Sequence, residues 1–136
     1  MDEKALLAAK EADYMNAEQL IFFDNRLQQL RTETLDEITA IKTQILGNSQ
    51  VSDVLDRAQQ EEESQIALRI ADRKRQLIPK IDAARQRIRS GEYGYCLQTG
   101  EPIGIERLLI RPTAEYCTDV KTINEQKEGL YEHKTR

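Results

Sequence analysis

The chain has 136 residues, of which 39% are hydrophobic, 32% charged and 5% aromatic, with no tryptophan. That length suits one domain, or a small head with an extended element, but not two large cores. The net charge of -4 disfavours a domain that binds DNA by neutralising many phosphates. No apolar run approaches the roughly 20 residues that span a bilayer, and the polar amino terminus lacks a signal-peptide pattern. We therefore expect a cytoplasmic protein without membrane contact.

The first predicted elements are helical. Residues 1–16 suit a short amphipathic helical segment of a globular head, and Asn16 with Gln19 resembles a capping box that opens a second helix. In that helix, apolar residues recur at steps of three and four, with the polar Thr34 at one of these positions. The apolar members are Leu20, Phe23, Leu27, Leu30, Ile38, Ile41 and Ile45. The pattern predicts one narrow apolar stripe on a long helix.

A return helix is predicted from about Asp53 to Arg89, after a turn at Gly47-Asn48-Ser49. Its predicted stripe consists of Ile66, Ile70, Leu77, Ile81, Ala84 and Ile88. Two stripes joined by a short turn predict an antiparallel coiled-coil hairpin over residues 17–90, with its tip near residues 47–58. Pro79 lies inside the return helix, where its ring and its missing N–H predict a kink.

Glycines and prolines interrupt the helical periodicity after residue 90. They predict a compact, turn-rich unit over residues 91–121, followed by a C-terminal helix over residues 122–136. The overall expectation is a mostly α fold in which a long coiled-coil hairpin joins a small globular head.

The turn-rich unit contains Cys96 and Cys117, the two cysteines of the chain. Thr99 and Val120 stand three residues after them, so the pattern is that of two C-x2-C pairs in which the second ligand of each has been replaced. Because a structural zinc ion needs four donors, we predict no metal site here. We expect apolar side chains to pack in place of metal bonds, and these are Leu97, Ile103, Tyr116 and Val120. Asp119 and His133 are the remaining candidates for completing a site.

The segment around the cysteines resembles the carboxyl-terminal zinc-finger signature of the DksA/TraR family. The matching motifs are Gly94-Tyr95-Cys96, Gly100-Glu101-Pro102-Ile103-Gly104, Arg107-Leu108, Arg111-Pro112-Thr113-Ala114 and Cys117. Further likeness lies in Asp53-Val54-Leu55-Asp56-Arg57-Ala58, in Glu61-Glu62-Glu63 and in Asp72-Arg73. The resemblance covers nearly the whole chain beyond the first dozen residues, and it is greater to the zinc-sparing members than to those with four cysteines.

This resemblance implies a regulator that binds RNA polymerase and inserts its hairpin into the secondary channel, with the globular part outside. It assigns Asp53, Asp56 and Ala58 to the tip that approaches the catalytic centre. Considered without the family, the two aspartates are helix caps that complement the helix dipole.

The resemblance also assigns Leu77, Lys80, Arg111 and Lys121 to the regulatory nucleotide ppGpp at the interface with polymerase. It assigns Arg73 to polymerase engagement. Each of these is an ordinary surface side chain when it is considered alone, although three of the four nucleotide positions carry a cation that can neutralise phosphate.

No enzyme is predicted, because the chain has one histidine and no catalytic constellation or phosphate-cradling loop. We expect a monomer that does not read DNA sequence. Two alternatives stay open: a secondary-channel factor that is insensitive to ppGpp, and a coiled-coil adaptor for a partner other than polymerase.

Overall fold

A computed structural model describes residues 1–48 and 54–117. Its four α-helices are α1 (Glu3–Ala8), α2 (Ala17–Asn48), α3 (Val54–Ser90) and α4 (Ile105–Ile110). The described part contains no β-strand, only an isolated bridge between Tyr95 and Pro102. The predicted mostly α fold with two long packed helices is confirmed. None of the helices in the described ranges has the length and apolar content to cross a membrane.

The chain divides into two compact units. The first, called the head here, comprises Met1–Arg26 and Ala84–Arg136, and the second, called the shaft, comprises Leu27–Ala83. The predicted segment boundaries at residues 16, 90 and 121 stay predictions. The predicted C-terminal helix lies outside the described residues.

In the shaft, α2 and α3 run antiparallel. Arg31 pairs with Asp82 at 3.0 Å, and Glu37, further along α2, pairs with Lys74, which lies earlier on α3. The predicted stripe of α2 is confirmed, because Leu27 and Ile38 are buried and Leu30, Ile41 and Ile45 are partly buried. Thr34 is buried in that stripe, where its hydroxyl donates to the carbonyl of Leu30 at 2.7 Å. This bond satisfies the hydroxyl, which is the only polar group of the Thr34 side chain, in the seam, the buried interface between α2 and α3.

The predicted stripe of α3 is confirmed at Ile81 and Ala84, which are buried, and at Leu77 and Ile88, which are partly buried, but it is wrong at Ile66 and Ile70. Ile66 and Ile70 are 49% and 40% exposed, whereas Ala71 and Ile81 are buried. Most of the covered positions of α3 in the shaft follow steps of four and three, through Gln60, Ser64, Ala67, Ala71, Lys74, Ile78 and Ile81, and Leu77 is partly buried beside them. Small side chains in the seam let the two helices approach closely. Ile66 and Ile70 therefore lie beside the seam and not within it.

Helix α3 continues through Pro79, whose side chain is exposed. The ring removes the amide that would donate to the carbonyl of Arg75, which costs a helix about 3 kcal/mol. The predicted kink stays a prediction.

The amino-terminal segment is less helical than predicted. Helix α1 ends at Ala8, since Ala9 adopts an extended conformation, and a 3-10 turn follows over Glu11–Asp13. The predicted cap of α2 is present, because the amide of Gln19 donates to Oδ1 of Asn16 at 2.9 Å. In a complete capping box, the side chain of Gln19 would accept from the N–H of Asn16. Here Oε1 of Gln19 accepts from the N–H of Met15 instead, because the N–H of Asn16 already donates to the carbonyl of Asp13.

The core of the head draws on distant parts of the chain. Helix α1 packs against α4, and each buries one leucine, Leu6 and Leu108. The rings of Phe23 and Tyr93 lie 5.6 Å apart and both are buried. Helix α4 was not predicted, since it is only six residues long and lies between turn-forming residues.

The packing predicted around the cysteines is partly wrong. Ile103 is buried as predicted, Tyr116 is partly buried and Leu97 is 50% exposed. The backbone N–H of Leu97 donates to the carbonyl of Glu115, a contact that uses the backbone of this residue and leaves its side chain at the surface. Val120 lies outside the described residues.

Candidate functional sites

The predicted tip lies partly within the described residues. Asp56 is the third residue of α3 and is exposed, and Ala58 is exposed one half-turn further on. A carboxylate in the first turn of a helix complements the free amides there. Asp53 lies outside the described residues, so the geometry of the aspartate pair stays a prediction.

Three residues assigned by the resemblance share one face of α3. Arg73, Leu77 and Lys80 follow each other at steps of four and three, the spacing of neighbours on a helix surface. Arg73 and Lys80 are exposed, and Leu77 is partly buried. Within the described ranges neither cation has a carboxylate partner, in contrast to Lys74 and Arg75 beside them, which pair with Glu37 and Asp72. Both cations are therefore available to an anionic partner.

Arg111 lies in the head, directly after α4. Its backbone N–H caps the helix by donating to the carbonyl of Arg107 at 2.8 Å, while its side chain is exposed. No ion pair to this side chain occurs in the described part of the chain. Lys121 lies outside the described residues, so the head presents one of its two predicted nucleotide contacts.

Tyr14 joins the amino-terminal segment to the loop that carries Cys96, a link that the sequence analysis missed. Its hydroxyl donates to the carbonyl of Gly94 at 2.6 Å and accepts from the N–H of Gly104 at 2.9 Å. The ring stacks edge-on against Tyr95 at 5.6 Å. Burial raises the pKa of the Tyr14 hydroxyl and outweighs the opposite effect of the N–H donated by Gly104. The phenol is therefore neutral and acts as a donor and an acceptor.

Gly94 is required at this junction for two reasons. Its φ of +89° is unfavourable for residues with a side chain. A Cβ atom at this position would also lie 2.7 Å from Cγ of Met15.

Tyr93 connects the Cys96 loop to the segment that precedes Cys117. Its hydroxyl donates to the carbonyl of Pro112 at 2.7 Å, and the side chain is almost completely buried. Burial raises the pKa of this tyrosine, the largest effect, although the guanidinium of Arg87 acts in the opposite direction. The segment that ends at Cys117 is thereby fixed against the Cys96 loop.

Cys96 is buried at the centre of that loop and is not in a disulfide. Burial raises the pKa of its thiol, but hydrogen bonds to the sulfur outweigh this effect and lower the pKa to about 6. The donors are the hydroxyl of Thr99 and the backbone N–H groups of Cys117, Thr99 and Gln98.

Two family models match the chain. The first, described as the N-terminal domain of the DnaK suppressor protein DksA, covers residues 19–88. The second, described as the prokaryotic dksA/traR C4-type zinc finger, covers residues 91–126. Together they include every residue that the sequence analysis assigned to the tip, to the nucleotide and to the cysteine unit.

The residues present do not fit the four-thiolate zinc site that the second model implies. Cys96 and Cys117 are the only thiols of the chain, and the Thr99 hydroxyl donates to the Cys96 sulfur. Among residues 1–48 and 54–117, no three histidine, cysteine or carboxylate side chains are grouped to hold a metal ion. Asp119 and His133, the remaining candidate ligands, lie outside these ranges.

Curated relatives and a solved structure agree with the family models. Proteins named RNA polymerase-binding transcription factor DksA are 40% identical in Escherichia coli K12, over 85% of this chain and 78% of the relative, and 36% identical in Caulobacter vibrioides, over 90% and 87%. Transcription factor DksA2 from Pseudomonas aeruginosa is 40% identical and superposes with a TM-score of 0.83, over 93% of this chain and 98% of the other. The chain therefore belongs to the DksA/TraR family.

Proposed function

We propose that this protein binds RNA polymerase, places the tip of its hairpin in the secondary channel, and modulates transcription initiation together with ppGpp and without zinc. Membership in a family whose relatives are named RNA polymerase-binding factors supports the partner. The single observation that carries the proposal is the exposed Asp56 at the start of the return helix of an antiparallel helix pair. As polymerase is cytoplasmic in bacteria, the proposed site of action is the cytoplasm.

The proposed working part is the charge at the tip. Asp56 and Ala58 are exposed, so their substitution removes no packing from the shaft. A carboxylate held on a helix near the catalytic centre would act on magnesium-proximal or basic groups of polymerase. In this view, Asp53 and Asp56 alter the chemistry of polymerase and perform none of their own. The protein acts as a regulator and not as an enzyme.

The proposed nucleotide contacts are Leu77 and Lys80 on the shaft and Arg111 and Lys121 in the head. Lys80 and Arg111 are exposed and have no carboxylate partner in the described residues, which supports their availability to phosphate. A guanidinium can bind phosphate through two parallel hydrogen bonds, whereas an ammonium acts as a point charge. Arg73, on the same face of α3 as Lys80, is proposed to contact polymerase directly.

Zinc independence is supported by how the head is held together. The Tyr14, Tyr93 and Thr99 hydroxyls and the buried leucines stabilise the loop around Cys96 through hydrogen bonds and apolar contacts. In a zinc module, metal bonds supply much of the folding free energy. Here, hydrogen bonds and apolar burial would supply it.

The experiment that tests the function is transcription from a ppGpp-sensitive promoter by purified polymerase, with and without the factor and the nucleotide. We expect inhibition by the factor alone and stronger inhibition when ppGpp is added. Inhibition that ppGpp leaves unchanged would favour the insensitive alternative. The absence of both binding and inhibition would favour an adaptor for another partner.

A further inference from the structure

An apolar stripe runs along α3 beside the seam of the shaft. Ile66 and Ile70 lie one helical turn apart and are 49% and 40% exposed, and Leu77, two turns further on, is partly buried. Steps of four and seven residues place the three side chains in one line on the helix surface. The line covers roughly 16 Å of α3. Single exposed apolar residues are common on protein surfaces, whereas a continuous line of them marks an interaction surface.

A cationic edge borders the apolar stripe on the side away from the seam. It consists of Arg69, Arg73 and Lys80, which are all exposed. No ion pair to any of the three occurs among residues 1–48 and 54–117. Asp72, the only acidic residue in this part of α3, pairs with Arg75 at 2.9 Å. The edge therefore presents three positive charges that no described carboxylate neutralises.

The hairpin leaves much of the two isoleucines unused. Their neighbours in sequence, Ala67 and Ala71, occupy the seam, so nearly half of each isoleucine side chain remains in contact with solvent. Isoleucine in a helix has one strongly preferred rotamer, and a side chain that is already ordered loses little entropy when a partner covers it. The stripe is therefore well suited to gain free energy from burial against another surface.

The combination of stripe and edge indicates the chemistry of the partner. A nucleic acid would neutralise the cations, but it would gain little from covering Ile66 and Ile70, because its affinity comes mainly from phosphate contacts. A protein surface that is apolar at its centre and acidic at its border matches both features. RNA polymerase is the protein partner that the names of the relatives supply.

We propose that the stripe of Ile66, Ile70 and Leu77 binds an apolar surface of RNA polymerase, with acidic side chains of polymerase facing Arg69 and its cationic neighbours. This inference rests on the proposed function, since it names the part of α3 that holds polymerase. The stripe supplies affinity, while the charge at the tip acts on the chemistry. A change in the stripe should therefore be overcome by more protein, whereas a change at the tip should not.

The test measures binding of the full-length protein to immobilised RNA polymerase core by surface plasmon resonance. The double variant Ile66→Gln/Ile70→Gln should bind roughly tenfold more weakly, because the apolar area that polymerase covers is lost. It should still inhibit a sensitive promoter fully at a saturating concentration. Leu68→Gln is the matched control, since Leu68 is 46% exposed on the opposite flank of the seam, and its affinity should be unchanged.

The outcomes separate this inference from the proposed function. If the unmodified protein does not bind polymerase, both fail. If it binds and the double variant binds equally well, only the role of the stripe is overturned. An equal loss in Leu68→Gln would also overturn it, because the loss would not be specific to one flank. A dimer of the free protein that dissociates in the double variant would show that a second copy occupies the stripe, and would contradict the proposal.

Arg69→Glu keeps the proposal testable if circular dichroism shows that the double variant is unfolded. Arg69 is exposed and has no ion pair in the described part of the chain, so its substitution removes no packing. Charge reversal should weaken binding to polymerase by about tenfold at low ionic strength and by less at high salt, where charges are screened. An affinity equal to that of the unmodified protein at low salt would overturn the acidic border of the proposed surface.

Discussion

In the shaft, the charged side chains assigned to function that the structure describes are exposed, whereas in the head the groups around Cys96 are buried and hydrogen-bonded. Asp56, Arg73 and Lys80 are exposed on α3, and no ion pair to Arg73 or Lys80 occurs among the described residues. Tyr93 and Cys96 have almost no exposed surface. A substitution in the first group should change what the protein does, while one in the second should change how stably it folds. The predictions below test this contrast.

The largest expected effect is at the tip. Asp56→Asn should abolish inhibition at a sensitive promoter while leaving affinity for polymerase nearly unchanged, because only an exposed charge is lost. Asp36→Asn, which removes an exposed carboxylate from α2, is the matched control and should inhibit normally. Inhibition by a well-folded Asp56→Asn protein at the normal level would break the assignment of the tip.

The proposed nucleotide contacts should give an intermediate effect. Lys80→Ala and Arg111→Ala each remove one charge-assisted contact, worth about 1.5–3 kcal/mol, or roughly tenfold or more in the ppGpp concentration required. Basal inhibition without ppGpp should remain. Lys42→Ala, at an exposed position of α2, provides the control in the same transcription assay. An unchanged response to ppGpp in both variants would indicate the insensitive alternative.

In the head, the effect should appear in stability. Tyr14→Phe removes a hydroxyl that donates to Gly94 and accepts from Gly104, and it should lower the free energy of unfolding by about 1–3 kcal/mol. Urea unfolding followed by circular dichroism measures this change. Tyr95→Phe keeps the stacked ring and should alter stability by less than about 0.5 kcal/mol. Equal stability of the two variants would show that the hydrogen bonds of the Tyr14 hydroxyl are dispensable.

Removal of metal should have the smallest effect. EDTA should leave both the thermal midpoint and the inhibition unaltered, since two thiolates cannot close a structural zinc site. The control is a four-cysteine relative from the same family, which should be destabilised under identical conditions. Stoichiometric zinc in the purified protein, together with unfolding of the head by EDTA, would direct attention to Asp119 and His133.

Periodicity was sufficient to predict α2 but not the register of α3. The seam residues of α2 are mostly large and apolar, so each one contributes to the pattern. On α3, Ala67 and Ala71 occupy the seam, and small side chains carry little hydrophobic signal beside Ile66 and Ile70. The larger residues dominated the prediction although they lie on the flank.

The contacts that hold the head together could not be predicted from local sequence. Tyr14 and Gly94 are 80 residues apart, and no composition or spacing rule connects them. The positive φ of Gly94 and the close approach of Met15 are visible only in three dimensions. The incomplete ligand set, in contrast, is a prediction that comes from counting donors and requires no geometry, and its remaining candidates Asp119 and His133 lie outside the described residues.

The central claim, that the tip of this hairpin works inside RNA polymerase, is tested most directly by cross-linking from the tip itself. A photoreactive amino acid in place of Ala58, an exposed position in the first turns of α3, would react with whatever lies against it in the complex with polymerase. We predict cross-links to polymerase residues that line the secondary channel beside the catalytic centre. Cross-links confined to the outer surface of polymerase, or none to polymerase at all, would contradict the account.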